Sequence, residues 1–263
     1  MNPNLTPRHT PGASVQKTTE GWRLDIPSGP GRAYRLAQVD DYISLPRRAF
    51  PWNPPLKISL RARLSASNLP GTWGFGLWND PFGLAIGFGG TARRLPALPN
   101  AAWFFHASQE NHLSLGDAPA NGFFAGTFRS PRLPSPLLAP ALPALPFLAL
   151  HPVSRWLRRI AGRIVQQDGR AVGVDVTQWH TYFIHWQPEA VTFLVDGAEL
   201  LRTPLSPRAP LGLVIWMDNQ YAAWRPDGSL GYGTLANPSA WMEVEWMESS
   251  PADCPRQQST LSR

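Results

Sequence analysis

The sequence predicts an all-β protein, a sandwich of two antiparallel sheets with one amphipathic helix in an insertion. The strongest observation is residues 179–197, which alternate with a period of two on both sides of Gln187-Pro188-Glu189, as a β-hairpin does. Leu56–Leu64 alternates apolar residues with polar or basic ones, which is typical of a half-buried antiparallel strand. The third observation is composition, because 12 Trp and 12 Phe favour strands while 22 Gly and 29 Pro supply turns.

The same period-two pattern, interrupted by Gly, Pro and Asn, divides the chain into strands. In the organising hairpin, Pro188 presets the turn geometry and Asp196-Gly197 closes the second strand with a tight-turn dipeptide. The predicted strands are Trp22–Ile26, Tyr34–Tyr42, Leu56–Leu64, Trp73–Trp78, Leu84–Gly89, Ala101–Ala107, Gly122–Phe128, Trp179–Trp186, Val191–Val195, Glu199–Thr203, Leu211–Asn219 and Trp241–Glu248.

Two of these strands each carry two glycines at alternate positions. In Trp73–Trp78 and Leu84–Gly89 one face is bulky and apolar, and the other is nearly bare backbone. Glycine inside a strand often marks close approach by a ligand or by another part of the protein. We therefore expect something to lie against the bare face.

The domain organisation follows from shifts in composition. Residues 1–18 are predicted to be a flexible arm, residues 19–250 one sandwich domain and residues 251–263 a flexible tail. An insertion at residues 130–167 begins with a segment too rich in proline for a helix or a central strand.

The insertion continues with Val153–Gln166, which reads as an amphipathic helix. Its predicted apolar stripe consists of Val153, Trp156, Leu157, Ile160, Ile164 and Val165. Four arginines lie mostly off this stripe, namely Arg155, Arg158, Arg159 and Arg163. Three interpretations stay open: a cover packed on the sandwich, a mobile lid, and a basic surface that docks on an anionic membrane or a partner.

Charge and cysteine content narrow the classes of function. The net charge is +6, but only 16% of residues are charged and the arginines are mostly scattered, so no nucleic-acid partner is predicted. Cys254 is the single cysteine, which leaves neither a disulfide framework nor a cysteine metal site. The first residues lack the apolar core of a signal peptide and no run of 18 apolar residues occurs, so the expected location is the cytoplasm.

The hairpin and the last strands also carry a resemblance. Trp179-His180-Thr181-Tyr182 leads to Trp186-Gln187-Pro188 and to Phe193-Leu194-Val195-Asp196-Gly197, while later strands contain Trp216-Met217-Asp218 and Met242-Glu243-Val244-Glu245-Trp246. This order resembles the concanavalin A-like lectin/glucanase superfamily and is closest to the family-16 glycoside hydrolases, over roughly residues 20–250. The resemblance implies a jelly roll of two antiparallel sheets, one of them concave, with glycans bound across it.

The resemblance also implies a position for catalytic carboxylates. Family-16 hydrolases carry Glu-x-Asp-x-x-Glu on the strand that corresponds to Ala101–Ala107, which here contains no carboxylate. Glu110, just beyond that strand, and Asp218 are the first candidates for relocated catalytic carboxylates. Glu243–Glu248 has a similar spacing, but its glutamates alternate with core residues as a solvated face would.

A glycan-binding site is predicted where aromatic and polar side chains meet. If the face of Trp216 is the concave one, it gathers Trp78, His106, Trp216, Asp218 and Asn219. The alternative is that these tryptophans form a second core layer beneath the insertion. The spacing of His106, Glu110 and His112 is not specific for a metal, and no nucleotide-binding motif occurs, so neither metal nor cofactor is predicted.

Three functions therefore remain open from the sequence. The first is a glycan-recognising domain without the family-16 chemistry. The second is a glycoside hydrolase with relocated carboxylates. The third is a peripheral membrane or partner-binding protein that acts through the helix.

Overall fold

The computed structural model describes residues 4–81, 94, 97–116, 120–132 and 149–251, without the side chains of residues 246–251. Two seven-stranded antiparallel sheets, a separate two-stranded hairpin, one α-helix and a short 3-10 helix make up this part of the chain. The all-β jelly-roll sandwich predicted from the sequence is confirmed. The predicted strand Leu84–Gly89 lies outside the described residues.

The first sheet, called sheet A, has antiparallel neighbours throughout. In spatial order its strands are β1 (Thr6–His9), β4 (Leu36–Asp40), β13 (Gly212–Asp218), β6 (Thr72–Trp78), β7 (Ala101–Ala107), β8 (Gly122–Arg129) and β9 (Gln166–Ala171).

The second sheet, called sheet B, contains the organising hairpin. In spatial order its strands are β12 (Ala198–Thr203), β11 (Val191–Val195), β10 (His180–Trp186), β5 (Leu56–Leu64), β16 (Ala240–Pro251), β3 (Gly21–Ile26) and β2 (Ser14–Lys17). The remaining elements are a 3-10 helix (Arg47–Ala49), the helix α1 (His151–Ile164) and a hairpin of β14 (Gln220–Trp224) and β15 (Leu230–Thr234).

The predicted hairpin is formed by β10 and β11, with Trp186 opposite Val191 and Tyr182 opposite Val195. The predicted strand Leu56–Leu64 has the observed bounds of β5 and pairs with β10 along its length. Both predictions held because each strand has one buried and one partly exposed face, so the apolar alternation specifies which side turns inward.

The main core lies between the two sheets. Sheet A contributes Phe104, whose ring centroid lies 5.0 Å from that of Tyr182 and 5.4 Å from that of Phe193, both in sheet B. Trp73 and Trp186 are also almost fully buried on the inner faces of their sheets. Packing of this kind removes large aromatic surfaces from water and stabilises the sandwich.

The first 18 residues differ from the predicted flexible arm. Residues 6–9 form β1 at the edge of sheet A, and residues 14–17 form β2 at the edge of sheet B. An edge strand is held by backbone hydrogen bonds on one side, so it does not require the apolar pattern that the prediction looked for.

The insertion is also bounded differently. Helix α1 begins two residues before the predicted start and ends at Ile164, and Gln166 and Gln167 already belong to β9. Residues 133–148 of the proline-rich segment, and residues 252–263 of the predicted tail, lie outside the described residues.

Candidate functional site

A second aromatic cluster lies on the side of sheet A that points away from sheet B. Because Leu213, Ile215 and Met217 of β13 are buried in the main core, the residues between them point outward. We call this side the aromatic face. Its outward residues are Gln38, Asp40, Thr72, Trp78, Trp103, Phe105, Phe124, Phe128, Val214, Trp216 and Asp218.

Trp216 is at the centre of the aromatic face. Its ring centroid lies 6.4 Å from that of Trp78, with the two rings nearly parallel, and 5.8 Å from that of Trp103. Phe105 lies 5.7 Å from Trp216 and stacks at 5.2 Å on Trp103. The four rings therefore form one continuous aromatic layer.

Glycines of β6 provide the floor beneath these rings. A Cβ added at Gly74 would collide with the carbonyl oxygen of Phe104 and lie 3.0 Å from the Trp216 ring, and one added at Gly76 would lie 2.6 Å from the carbonyl oxygen of Ala102 and from Cβ of Trp103. The predicted close approach to the bare face is thus made by the backbone of β7 together with Trp216 and Trp103. A larger residue at either position would collide with that backbone.

The aromatic rings differ in how much surface they offer to solvent. Trp216 is only 9% exposed, whereas Trp78, Trp103 and Phe105 are half-buried. The surface that a ligand can contact therefore comes from these three residues, with Trp216 supporting them from within the layer.

Sequence reasoning missed Trp103 and Phe105. Strand β7 is apolar on both sides, so its own pattern does not tell which side faces the core. A usable signal lies on β6, where Gly74 and Gly76 leave the space that the two rings occupy.

Asp218 adds a carboxyl group at one end of the aromatic face. Its Oδ1 accepts hydrogen bonds from the N–H and hydroxyl of Thr72, at 3.3 and 2.9 Å, and from the N–H of Gln220 at 3.1 Å. The Tyr34 hydroxyl donates to Oδ2 at 3.4 Å. Burial raises the pKa of Asp218 to about 7, against the opposing effect of these hydrogen bonds.

Thr72 connects this carboxyl group to the central ring. The indole N–H of Trp216 donates to the Thr72 hydroxyl at 3.0 Å, while that hydroxyl donates to Asp218. The position of the central ring and the surroundings of the carboxyl group therefore depend on the same hydroxyl.

A second polar pair lies on β4. The side-chain amide of Gln38 donates to Asp40 Oδ2 at 2.8 Å, and the N–H of Ile43 donates to Oδ1 at 2.8 Å. Asp40 is fully buried, and burial raises its pKa. Asp40 lies opposite Val214, four residues before Asp218, so the backbone positions of the two aspartates are about 13 Å apart along the strand direction at the usual rise of a strand.

His106 does not belong to the aromatic face, contrary to the prediction. It shares the inner side of β7 with Phe104 and stacks on Trp73, with the ring centroids 5.1 Å apart and the planes nearly parallel. Its Nδ1 is buried and has no hydrogen-bond partner among the described residues. Burial in this apolar site lowers the pKa of His106 to about 4.

This burial predicts acid sensitivity that a substitution can isolate. In the unfolded chain His106 protonates near its ordinary pKa, but in the folded protein only near pH 4, so its contribution to stability falls as the pH decreases between these values. As the pH falls from 7 to 4, we expect the free energy of unfolding of His106→Phe to rise by about 3 kcal/mol relative to that of the wild type. Urea unfolding at a series of pH values measures this difference.

His9→Gln, which removes an exposed imidazole group, is the control variant for that series. Parallel stability curves for His106→Phe and the wild type would show that His106 titrates normally in the folded protein.

Asn219, also predicted to bind ligand, is instead a structural residue. It is fully buried, and its Oδ1 accepts from the N–H of Arg35 at 2.8 Å. Its Nδ2 donates to the carbonyl oxygens of Ala33 and Leu235, at 3.0 and 2.8 Å. These bonds use its polar atoms to join the end of β13 to two loops.

The glutamates considered from the sequence lie in different surroundings. Glu110 is exposed in the turn after β7. Glu243 lies on the outer face of sheet B, where it pairs with Arg23 and Arg63, and Glu245 pairs there with Arg61. The interpretation of Glu243 and Glu245 as a solvated face agrees with these contacts.

The four arginines of α1 do not share one surface. Arg155, Arg159 and Arg163 are exposed, but Arg158 is 6% exposed and faces the body of the protein. The predicted basic surface therefore loses Arg158, because carbonyl oxygens beneath the helix accept hydrogen bonds from its guanidinium group.

Within the described residues, no group of three or more His, Cys, Asp and Glu side chains is arranged to hold a metal ion. The same part of the chain contains no helix with the length and apolar character needed to cross a membrane.

Similarity to known proteins is limited to solved structures with low sequence identity. No protein-family model matches the chain, and no curated protein matches it in sequence. Among solved structures, it is similar to a Bacteroides ovatus mixed-linkage glucan family-16 glycoside hydrolase in complex with an oligosaccharide product. The sequence identity is 10%, the match covers 94% of each chain and the TM-score is 0.47.

Two further solved structures are similar in the same way. A legume lectin-like domain from Entamoeba histolytica is 10% identical, with 95% of this chain and 91% of that chain covered and a TM-score of 0.46. A Bacillus licheniformis β-glucanase is 13% identical, with 94% of this chain and 92% of that chain covered and a TM-score of 0.45.

Proposed function

We propose that the aromatic face is a saccharide-binding site and that the protein recognises a glycan without hydrolysing it by the family-16 mechanism. The observation that carries the proposal is the layer of Trp78, Trp103 and Phe105, each of which keeps part of its surface open to solvent. Flat aromatic surfaces accompanied by a few fixed polar groups are what a sugar ring requires, because its C–H faces are apolar and its rim is polar.

The polar groups of the face suit a neutral glycan. With a pKa of about 7, Asp218 is protonated in about half of the molecules at neutral pH, and the protonated carboxyl group can both donate and accept a hydrogen bond. Tyr34 beside it carries a hydroxyl group. Since neither group carries a formal positive charge, nothing in this pair favours an anionic sugar.

Binding of a mixed-linkage β-glucan and of laminarin, measured by calorimetry, tests the proposal. We expect Trp103→Ala and Phe105→Ala each to weaken binding by about 30-fold or more, as removal of a central aromatic anchor does. Trp103→Phe should retain part of the affinity because it keeps a ring in place.

Phe183→Ala is the matched control, since Phe183 is a half-buried aromatic residue on the outer face of sheet B. Its affinity should equal that of the wild type. Absence of binding by the folded wild-type protein to these glucans and to an array of other neutral glycans would refute the proposal. So would unchanged affinity in both alanine variants.

Hydrolysis is the second candidate, and the raised pKa of Asp218 is the observation that favours it. A carboxyl group that stays protonated near neutral pH can act as a general acid. Its partner carboxylate must lie about 5 Å away in a retaining enzyme and about 6.5–9.5 Å away in an inverting one. Asp40, at about 13 Å by strand spacing, is too distant, which leaves Glu110 as the candidate partner.

Release of reducing ends from the same glucans separates the two functions. For a binding protein we expect no release by the wild type. Release that Asp218→Asn and Glu110→Gln each abolish would establish the hydrolase instead.

A further inference from the structure

The large exposed apolar side chains of the described residues lie on or beside two elements, α1 and β15. In the part of the chain that the structure describes, five large apolar residues are more than a third exposed. They are Leu150, Trp156, Ile164, Leu230 and Tyr232. Three of them lie on α1 or just before it, and the other two lie on β15.

Helix α1 and the β14–β15 hairpin are packed together. The indole N–H of Trp224 donates to the Ser154 hydroxyl at 2.9 Å. In the turn of the hairpin, Gly228 lies so close to α1 that an added Cβ would be 2.9 Å from the N of Arg155. The exposed apolar residues therefore belong to two elements in direct contact.

The rotation of α1 is fixed by Arg158. Its Nε donates to the Trp224 carbonyl at 2.8 Å, and its Nη2 donates to the carbonyls of Ser114 and Gly116 at 3.0 and 2.6 Å. Nη2 also lies 3.2 Å from Nε2 of His112. With Arg158 held inward by these bonds, Trp156 is left 59% exposed on another side of the helix.

This rotation is not the one that burial of apolar surface would favour. A helix placed only to cover the sandwich would turn Trp156 inward and leave Arg158 in water. The observed helix buries a guanidinium group and a serine while its largest apolar side chain faces out. An outward tryptophan held in this manner points to a ligand on the outer side.

The outward side of α1 consists of two parallel stripes, each with a spacing of four residues. One stripe contains Trp156, Ile160 and Ile164, and the other contains Arg155, Arg159 and Arg163. Residues four apart lie above one another on a helix, so an apolar stripe runs directly beside a basic one. The helix contains no acidic residue, and Asp227 in the adjoining hairpin turn accepts a hydrogen bond from the N–H of Ser229.

We propose that the outward side of α1 docks the protein on the surface of an anionic lipid bilayer. A helix lying in the plane of the interface needs an apolar stripe for the acyl boundary and a basic stripe for the phosphate groups. The three exposed arginines complement the charge of such a surface, and tryptophan prefers its polar–apolar boundary. This surface is separate from the aromatic face and serves a different function.

Flotation with lipid vesicles tests the proposal on the full chain. The wild type should float with vesicles of phosphatidylcholine and phosphatidylserine mixed two to one, and not with phosphatidylcholine alone. High salt should weaken the binding because it screens the arginines. We expect the triple variant Arg155→Gln, Arg159→Gln, Arg163→Gln to bind about 100-fold more weakly, and Trp156→Ala about 10-fold more weakly.

A matched triple variant controls for net charge. Arg48→Gln, Arg170→Gln, Arg202→Gln removes the same charge from exposed arginines elsewhere and should bind vesicles like the wild type. All variants should retain the glucan affinity of the wild type, which separates this test from that of the proposed function.

A fluorescent label gives an independent readout. In a Cys254→Ser background, an environment-sensitive dye on Trp156→Cys should shift to shorter wavelength on the mixed vesicles, and the same dye on Phe183→Cys should not. The proposal is overturned if the wild type does not bind the mixed vesicles, or if it binds vesicles of phosphatidylcholine alone as tightly as the mixed ones. It is also overturned if the triple variant at α1 binds the mixed vesicles as tightly as the wild type does. The same holds if the control triple variant loses as much vesicle affinity as the triple variant at α1.

Discussion

Trp216→Ala is expected to lower the free energy of unfolding by about 3–5 kcal/mol, the range measured when large aromatic side chains are removed from a packed site. The Trp216 ring rests on Gly74, contacts three other aromatic rings and donates a hydrogen bond to Thr72. Its removal leaves a cavity beneath the layer and takes away the donor to the Thr72 hydroxyl, which keeps its own hydrogen bond to Asp218. Urea unfolding at neutral pH measures the loss.

Two other tryptophans provide a graded comparison. Trp103→Ala removes a half-buried ring and should cost less than Trp216→Ala, and Trp156→Ala removes an exposed one and should stay within about 0.5 kcal/mol of the wild type. A loss at Trp216 as small as that at Trp156 would contradict the packed aromatic layer. Because Trp216→Ala disturbs the layer itself, Trp103 and Phe105 are the better positions for testing saccharide binding.

Asp218→Asn should raise the free energy of unfolding relative to that of the wild type, by up to about 4 kcal/mol, as the pH rises from 4 to 8. The pKa of Asp218 is about 7 in the folded protein and near its ordinary value in the unfolded chain, so the folded state binds the extra proton between these values. Ionisation of Asp218 therefore destabilises the wild type as the pH rises from 4 to 8. Asparagine does not ionise, and we expect the variant to gain stability relative to the wild type over that interval.

The measurement is a set of urea unfolding curves between pH 4 and pH 8. Asp168→Asn, which alters an exposed aspartate on β9, is the control variant for that set. If the stability of Asp218→Asn depends on pH as that of the wild type does, the carboxyl group of Asp218 is ionised in the folded protein at neutral pH. Asp218 is then unsuitable as a hydrogen-bond donor to a saccharide.

The parts of the fold that could be predicted are those in which one strand face is apolar and the other is not. Leu56–Leu64 and the hairpin strands have this property, so the period of two was sufficient. Ala101–Ala107 is apolar on both faces, and there the sequence does not reveal that Trp103 points out while His106 points in. The correct side depends on the glycines of β6, which become neighbours of β7 only in the folded sheet.

The side of the helix that faces the protein could not be predicted for a related reason. Its apolar and basic residues predict an amphipathic helix, but they do not predict which side faces the protein. That choice is made by carbonyl groups of residues 112–116 and of Trp224, which accept hydrogen bonds from Arg158. Such acceptors come from distant parts of the chain and have no signature in the helix itself.

The strands at the four sheet margins have a consequence for how the protein behaves at high concentration. A bare margin offers unpaired N–H and carbonyl groups to another chain, which is a common route to edge-to-edge aggregation. Here β1 contains Pro7 and Arg8, β2 ends in Lys17, β9 contains Asp168 and Arg170, and β12 contains Glu199 and Arg202. Charge or proline at every margin opposes the addition of a foreign strand, so two wide sheets can remain soluble without closing into a barrel.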